Sequence, residues 1–146
     1  MNFRYIIAVL FLSLFISCGE DELARDQKII EDYLAANNLV ADSTQDGIYY
    51  IIDEPGTEEH PDINSEVTAK YVGYYTDGFA FDQNSDGAVF QLSGVIRGWQ
   101  IGIPLFGKGG KGTLLIPAVY GYGSNPPGSI REDAVLIFDI ELVDFN

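Results

Sequence analysis

Tyr71, Phe81, Asp82, Phe90, Val95, Ile96, Trp99, Tyr122, Ile130 and Phe138 are scattered from the middle of the chain to near its end, and nearly all are rings or branched aliphatics. Brought together they would line an apolar cup. Its polar groups would be the Asp82 carboxylate and the hydroxyls of Tyr71 and Tyr122. Such a cup can hold an apolar group and strip it of water, but it is poorly equipped to move protons. Trp99, the only tryptophan, sits in "VIRGWQIG" between glycines. A single large ring there can be a core plug or the floor of the cup, and residue types alone leave both open.

Nucleophilic and metal chemistry have little support. His60 is the only histidine and lies in a polar loop, where it reads as a solvated side chain. Cys18 is the only cysteine, so no intramolecular disulfide can form. A Ser–His or Cys–His pair and a His/Cys zinc set are equally unsupported. "GIPLFGKG" (Gly102–Gly109) imitates a phosphate-binding loop, but Gly109 stands where a hydroxyl would reach magnesium, and a helix precedes it rather than a strand. "DQNSDG" (Asp82–Gly87) matches the front half of a calcium loop. Ser93 holds the position of the bidentate glutamate, so the stretch reads as a polar turn, with a weak cation site as the alternative. The net charge of −14 argues against nucleic-acid binding and against adsorption to an anionic membrane surface.

The elements that must position these residues follow from patterning. A chain of 146 residues, 47% hydrophobic with 16 glycines, suits one turn-rich, strand-containing domain plus an appendage. From Leu23 to Leu39, Ile29, Ile30, Tyr33 and Leu34 fall at helical spacing, and Asn37–Asn38 supply a stop. That helix could pack on the domain, dimerise or serve as an arm. "GIYYIID", "VTAKYVGYYT", "GKGTLLIP" and "AVLIFDIELVDF" read as strands, with two short segments around Phe79–Asp82 and Phe90–Leu92. Alternation puts Val67, Ala69, Tyr71 and Gly73 on one face of the second strand. In the last strand Leu136, Phe138, Ile140 and Leu142 oppose Asp139 and Glu141. A short helix is expected from Arg97 to Leu105, with Trp99 and Ile103 one turn apart. The sum is an α+β domain, antiparallel strands wrapped on one short helix.

The N-terminus carries Arg4, then an apolar run from Tyr5 to Ile16 that is too short for a stable membrane span. Phe15-Ile16-Ser17-Cys18 resembles a bacterial lipobox with Phe15 in place of the usual leucine. The resemblance implies cleavage before Cys18, lipidation of its thiol and a cell-envelope location at the outer membrane, on its periplasmic or surface face. The alternative is an ordinary signal peptide with an incidental cysteine. Removing a leader that carries only Arg4 makes the remainder one unit more negative. The expected organisation is a lipoprotein signal peptide at 1–17, a lipidated acidic tether and amphipathic helix at 18–45, and the globular domain at 46–146.

The stretches "YVG", "DGFAFD", "VIRGWQIG", "LLIP", "YGYG" and "LIFDIEL" follow one another in an order that resembles FKBP-type peptidyl-prolyl cis-trans isomerases, over about Glu66 to Asn146. The resemblance implies a five-stranded antiparallel half-barrel around one short helix, and an aromatic proline pocket with Trp99 as its floor. The pocket residues it implies are Tyr71, Phe81, Asp82, Val95, Ile96, Trp99, Tyr122 and Phe138, with Phe90 and Ile130 contacting substrate. The glycines beside Trp99 would let the backbone turn tightly into the helix and leave the ring face open. The Ile96 N–H and Tyr122 hydroxyl would hold substrate carbonyls, and Asp82 would bond to Tyr71. Partners would be proline-containing polypeptides and the macrolide inhibitors of the family. Isomerisation breaks no covalent bond, so no cofactor is expected. Ile130-Arg131-Glu132 departs from the Ile-Pro-Pro often found in the family, which bears on the rim of the pocket and on rate. A chaperone or scaffold lipoprotein using the same cup is the alternative function. A third reading, a glycan-binding surface lipoprotein, requires an exposed platform of Tyr49, Tyr74 and Tyr75.

Overall fold

The computed structural model describes residues 18–146, with side chains from residue 21 onward. The expected leader at 1–17 and the Cys18 thiol lie outside the described residues. Helix α1 spans Cys18–Ala36. It starts upstream of Leu23, so the acidic stretch forms its first turns, where carboxylates favour the positive helix end. At the other end Asn38 adopts φ 52°. The Leu39 N–H then donates to the Leu34 carbonyl at 2.9 Å and the Asn38 N–H to Ala35 at 3.3 Å, closing the helix with a left-handed cap. No helix among the described residues is long and apolar enough to cross a membrane.

The strands are β1 (Asp42–Ser43), β2 (Tyr49–Glu54), β3 (Glu66–Tyr74), β4 (Ala80–Gln91), β5 (Lys111–Ile116) and β6 (Leu136–Phe145). They form one antiparallel sheet in the order β1-β2-β5-β6-β3-β4. This is the expected α+β architecture with a short additional edge strand, β1. The two segments expected around Phe79–Asp82 and Phe90–Leu92 are instead the two ends of the single strand β4. Sequence patterning loses the strand because it carries a polar bulge. Lys70 is the only β3 residue opposite Ser85, Asp86 and Gly87, since Ala69 pairs with Ala88 and Tyr71 with Asn84. Gly87 has φ 100°, which favours glycine. The Asn84 Oδ1 accepts the N–H groups of Asp86 at 3.1 Å and Gly87 at 2.8 Å, so that oxygen is committed to the bulge rather than to a cation.

Strand alternation sorts the apolar residues onto two faces. On the inner face Val67, Ala69, Leu114, Phe138, Ile140 and Leu142 are buried with Trp99, Ile103 and Phe106. Helix α2 (Arg97–Gly102) crosses this face and runs on as a 3₁₀ turn through Leu105. Gly98 and Gly102 serve close approach, which corrects the expected role in a tight turn: a Cβ on them would collide with the side chains of Ile116 and Leu114. They let the helix, and therefore Trp99, settle onto β5. On the outer face Ile30 and Leu34 of α1 pack on Leu115, Val135 and Ile137, so the helix docks on the domain. Ile29, although at helical spacing, is 37% exposed.

Candidate functional site

Tyr71 comes from β3, Asp82 and Phe90 from β4, Ile96 and Trp99 from the start of α2, Tyr122 from the loop after β5, and Phe138 from β6. These side chains line one cavity of about 70 Å³. Trp99 is only 4% exposed, yet it forms part of the cavity wall. Three rings stand nearly perpendicular to it. Tyr71 lies at 5.1 Å and 89°, Phe90 at 5.4 Å and 80°, and Phe138 at 5.4 Å and 79°. Edge-on packing is a favoured aromatic arrangement, and here it raises walls around the indole instead of covering it. The buried Trp99 Nε1–H has no acceptor among the described residues.

The Tyr71 hydroxyl donates to the Asp82 Oδ2 at 2.8 Å. Regular pairing brings the two together: Tyr71 pairs with Asn84 and Gly73 with Asp82, so Asp82 is the diagonal neighbour of Tyr71 on one face, and the bulge at Phe81 follows. Burial, and then the bond to Asp82, push the Tyr71 phenol well above the ordinary tyrosine range. Burial, and then the Asp82 charge, also raise the Tyr122 phenol. Both therefore stay protonated at physiological pH and can act as hydrogen-bond donors.

Three of the expected residues do not line this cavity. Phe81 stands behind the wall, edge-on to Phe138 at 5.5 Å and 4.9 Å from Tyr75. Gly73 makes room for it, because a Cβ there would sit 2.7 Å from Phe138 and 2.8 Å from Phe81. Val95 packs half-buried against the inner core, its carbonyl accepting from Gln100 Nε2 at 2.9 Å. Ile130 sits half-buried in the loop before β6, its N–H donating to the Pro127 carbonyl at 3.4 Å.

That loop is fastened at Arg131, inside the departure from Ile-Pro-Pro, by contacts that sequence patterning does not reveal. The Arg131 N–H donates to the Tyr75 hydroxyl at 3.0 Å. Its guanidinium lies 4.2 Å over the Tyr75 ring and 5.5 Å from that of Phe79, and pairs with Asp77 at 2.7 Å. A stacked, paired arginine thus ties the loop to the β3–β4 turn where two prolines would otherwise stiffen it. The signal was dispersed: "YYTDG" and "SIRED" lie far apart in sequence.

The other candidates fall away on geometry. The Gly107 N–H and the Lys108 carbonyl and N–H are all bonded to the 55–57 loop, so this backbone forms no phosphate cradle. His60 is exposed, and its Nδ1–H donates to the Pro104 carbonyl at 2.8 Å. Tyr75 is buried, Tyr49 and Tyr74 are half-buried, and Tyr49 donates to Glu31 at 2.9 Å, so they offer no exposed platform for a glycan. A wider groove of about 410 Å³ lies on the outer face between Lys70, Lys111, Asp53, Asp139 and Glu141. It contains no ring system comparable to the cup.

Residues 57–143 match the family described as FKBP-type peptidyl-prolyl cis-trans isomerase. The chain belongs to the FKBP family. The FkpA isomerase of Aeromonas hydrophila is 37% identical over 130 residues, 86% of this chain and 48% of that protein. The FkpA of Escherichia coli (strain K12) is 33% identical over 127 residues, 85% of this chain and 46% of that one. The chain thus spans about half the length of the curated FKBP relatives it matches. Among solved FKBP structures, E. coli FkpA superposes with a TM-score of 0.75 at 30% identity, covering 87% of this chain and 62% of that one. A peptidyl-prolyl isomerase from Pseudomonas syringae superposes with a TM-score of 0.73 at 32% identity, covering 87% of this chain and 95% of that one.

Proposed function

We propose that this FKBP chain is a peptidyl-prolyl cis-trans isomerase of the cell envelope, acting on proline-containing polypeptides and anchored by a lipid on Cys18. The observation that carries the catalytic part is the cavity over Trp99, walled by edge-on rings and bounded by Tyr71, Asp82 and Tyr122. The anchor rests on the sequence around Cys18.

The chemistry asked of such a site is modest. Rotation about a peptide bond must cross a barrier of about 18–20 kcal/mol set by amide resonance. Water stabilises the planar amide by solvating its polarised carbonyl. A proline ring seated on Trp99 places that amide among aromatic walls, where solvation is lost and the less polar twisted form is favoured. The Ile96 N–H and the Tyr122 hydroxyl orient the flanking carbonyls. The Tyr71–Asp82 bond keeps the Tyr71 ring upright as a wall. No step transfers a proton, and none needs a nucleophile.

The test is catalysis of X-Pro isomerisation by the full chain in detergent, with and without a macrolide inhibitor of the family. Acceleration that the macrolide abolishes supports the proposal. Macrolide binding without acceleration, across peptides of varied sequence, would favour a holdase that uses the same cup. Absence of both would overturn the site assignment. For the anchor, Cys18→Ala should move the protein from the membrane to the soluble fraction; unchanged membrane association contradicts lipidation.

A further inference from the structure

Asp26 is fully buried on α1, an unusual place for a carboxylate. It falls on the same helical stripe as Ile30 and Leu34, which dock the helix on the outer face of the sheet. Its two oxygens have separate partners. Oδ1 accepts from Nε and Nη2 of Arg25 at 2.9 and 2.8 Å. Oδ2 accepts the backbone N–H of Ala118 at 2.8 Å, across the interface between helix and domain.

Ala118 opens the 3₁₀ turn Ala118–Tyr120, so its N–H is one that the turn itself cannot satisfy. Its carbonyl accepts two N–H groups, from Gly121 and from Gly123, each at 2.9 Å. Those two amides bracket Tyr122, which lines the cup. The Gly123 carbonyl in turn accepts the Asp133 N–H at 2.9 Å, tying in the far end of the loop. A single residue, Ala118, therefore connects a carboxylate on α1 to both backbone neighbours of a cup residue.

We infer that Asp26 is a positioning residue for Tyr122, and that α1 is a working part of the site rather than a mere arm of the domain. The inference rests on the proposed isomerase reading for its effect on rate, but not for its structural content. Removing the carboxylate leaves the Ala118 N–H buried and unpaired, and frees the turn to shift. The Tyr122 hydroxyl then loses its fixed place in the cup, while the rings on the β-strands stay where they are.

The experiment compares the full chain with Asp26→Ala, Asp26→Asn, Tyr122→Phe and the Asp26→Ala/Tyr122→Phe pair. Two readouts are taken below the melting temperature of every variant: isomerisation kcat/KM, and amide hydrogen exchange at Gly121 and Gly123 against β5 and β6. Asp26→Ala should lower kcat/KM about tenfold and speed exchange at the two glycines more than in the strands. Asp26→Asn keeps an acceptor oxygen and should recover much of the loss. The double variant should be no slower than Tyr122→Phe alone, because both act through one hydroxyl. Additive losses, or unchanged protection of Gly121 and Gly123 in Asp26→Ala, would overturn the inference. If the unaltered chain proves inactive, the isomerase reading fails by itself, and glycine exchange still decides whether Asp26 holds the turn.

Discussion

Neighbouring residues of the same two strands end in different surroundings. Leu114 and Phe138 face the inner side with Trp99, whereas Leu115 and Ile137 face α1. The centre of the outer interface is aliphatic: Ile30 and Leu34 settle onto Leu115, Val135 and Ile137, with Tyr33, Tyr49 and Tyr74 half-buried against them. On the inner side four rings meet edge to face, and flat rings standing on edge around an indole leave a hollow that branched aliphatics would fill. One sheet thus carries a filled patch under α1 that contributes stability and, on its other side, a gapped face that offers a binding site.

The strongest way to break this contrast is Ile137→Ala. It opens a void under α1 and should cost about 2–5 kcal/mol of folding stability, while lowering kcat/KM much less than Asp26→Ala does below the melting temperature, because the Asp26–Ala118 bond is kept. Denaturant unfolding and the isomerisation assay on the same sample check both halves. An equal loss of rate would show that the faces are not separable in this way.

Asp82→Leu does the reverse. It removes the acceptor for the Tyr71 hydroxyl at a surface-exposed position, and should lower kcat/KM about tenfold with little change in melting temperature. Unaltered turnover would remove Asp82 from the site.

Alkaline titration tests both faces at once. Burial raises the phenols of Tyr71 and Tyr122 on the inner side and of Tyr74 on the outer side above their value in the unfolded chain. The unfolded chain therefore releases these protons first. Stability should be constant up to about pH 10 and fall as pH rises further, toward the folded-state values. Denaturant midpoints across that range give the answer, and a midpoint that rises above pH 10 would contradict it.

The smallest effect is expected at the rim. Arg131→Ala removes the stacking on Tyr75 and the exposed pair with Asp77, and should cost about 1 kcal/mol or less in stability. It should raise KM more than it lowers kcat, since the loop borders the cup. A pure kcat effect would show that Arg131 acts on the reacting amide itself.

The inner face was largely legible in the sequence. Alternation in β3 and β6 identified the buried residues, and the family resemblance carried by the ordered motifs implied the cup and its Tyr71–Asp82 bond. What stayed hidden depends on contacts between distant segments. The bulge at Ser85–Gly87 breaks the alternation of β4, so one strand reads as two. The apolar stripe of α1 shows that the helix has a partner but not which one. Asp26 resembles every other acid in an acidic helix, and only its burial against Ala118 sets it apart. Phe81, Val95 and Ile130 were placed in the site by resemblance, yet none of them lines the cavity.

The most direct measurement is two-dimensional exchange spectroscopy of an X-Pro peptide with the full chain, read together with the Trp99 indole N–H and the Ile96 amide. The account predicts cis–trans exchange in well under a second, against tens to hundreds of seconds for the free peptide, with both protein signals moving as peptide is added. Exchange at the uncatalysed rate under saturating protein, with the Trp99 and Ile96 signals unmoved, would contradict it.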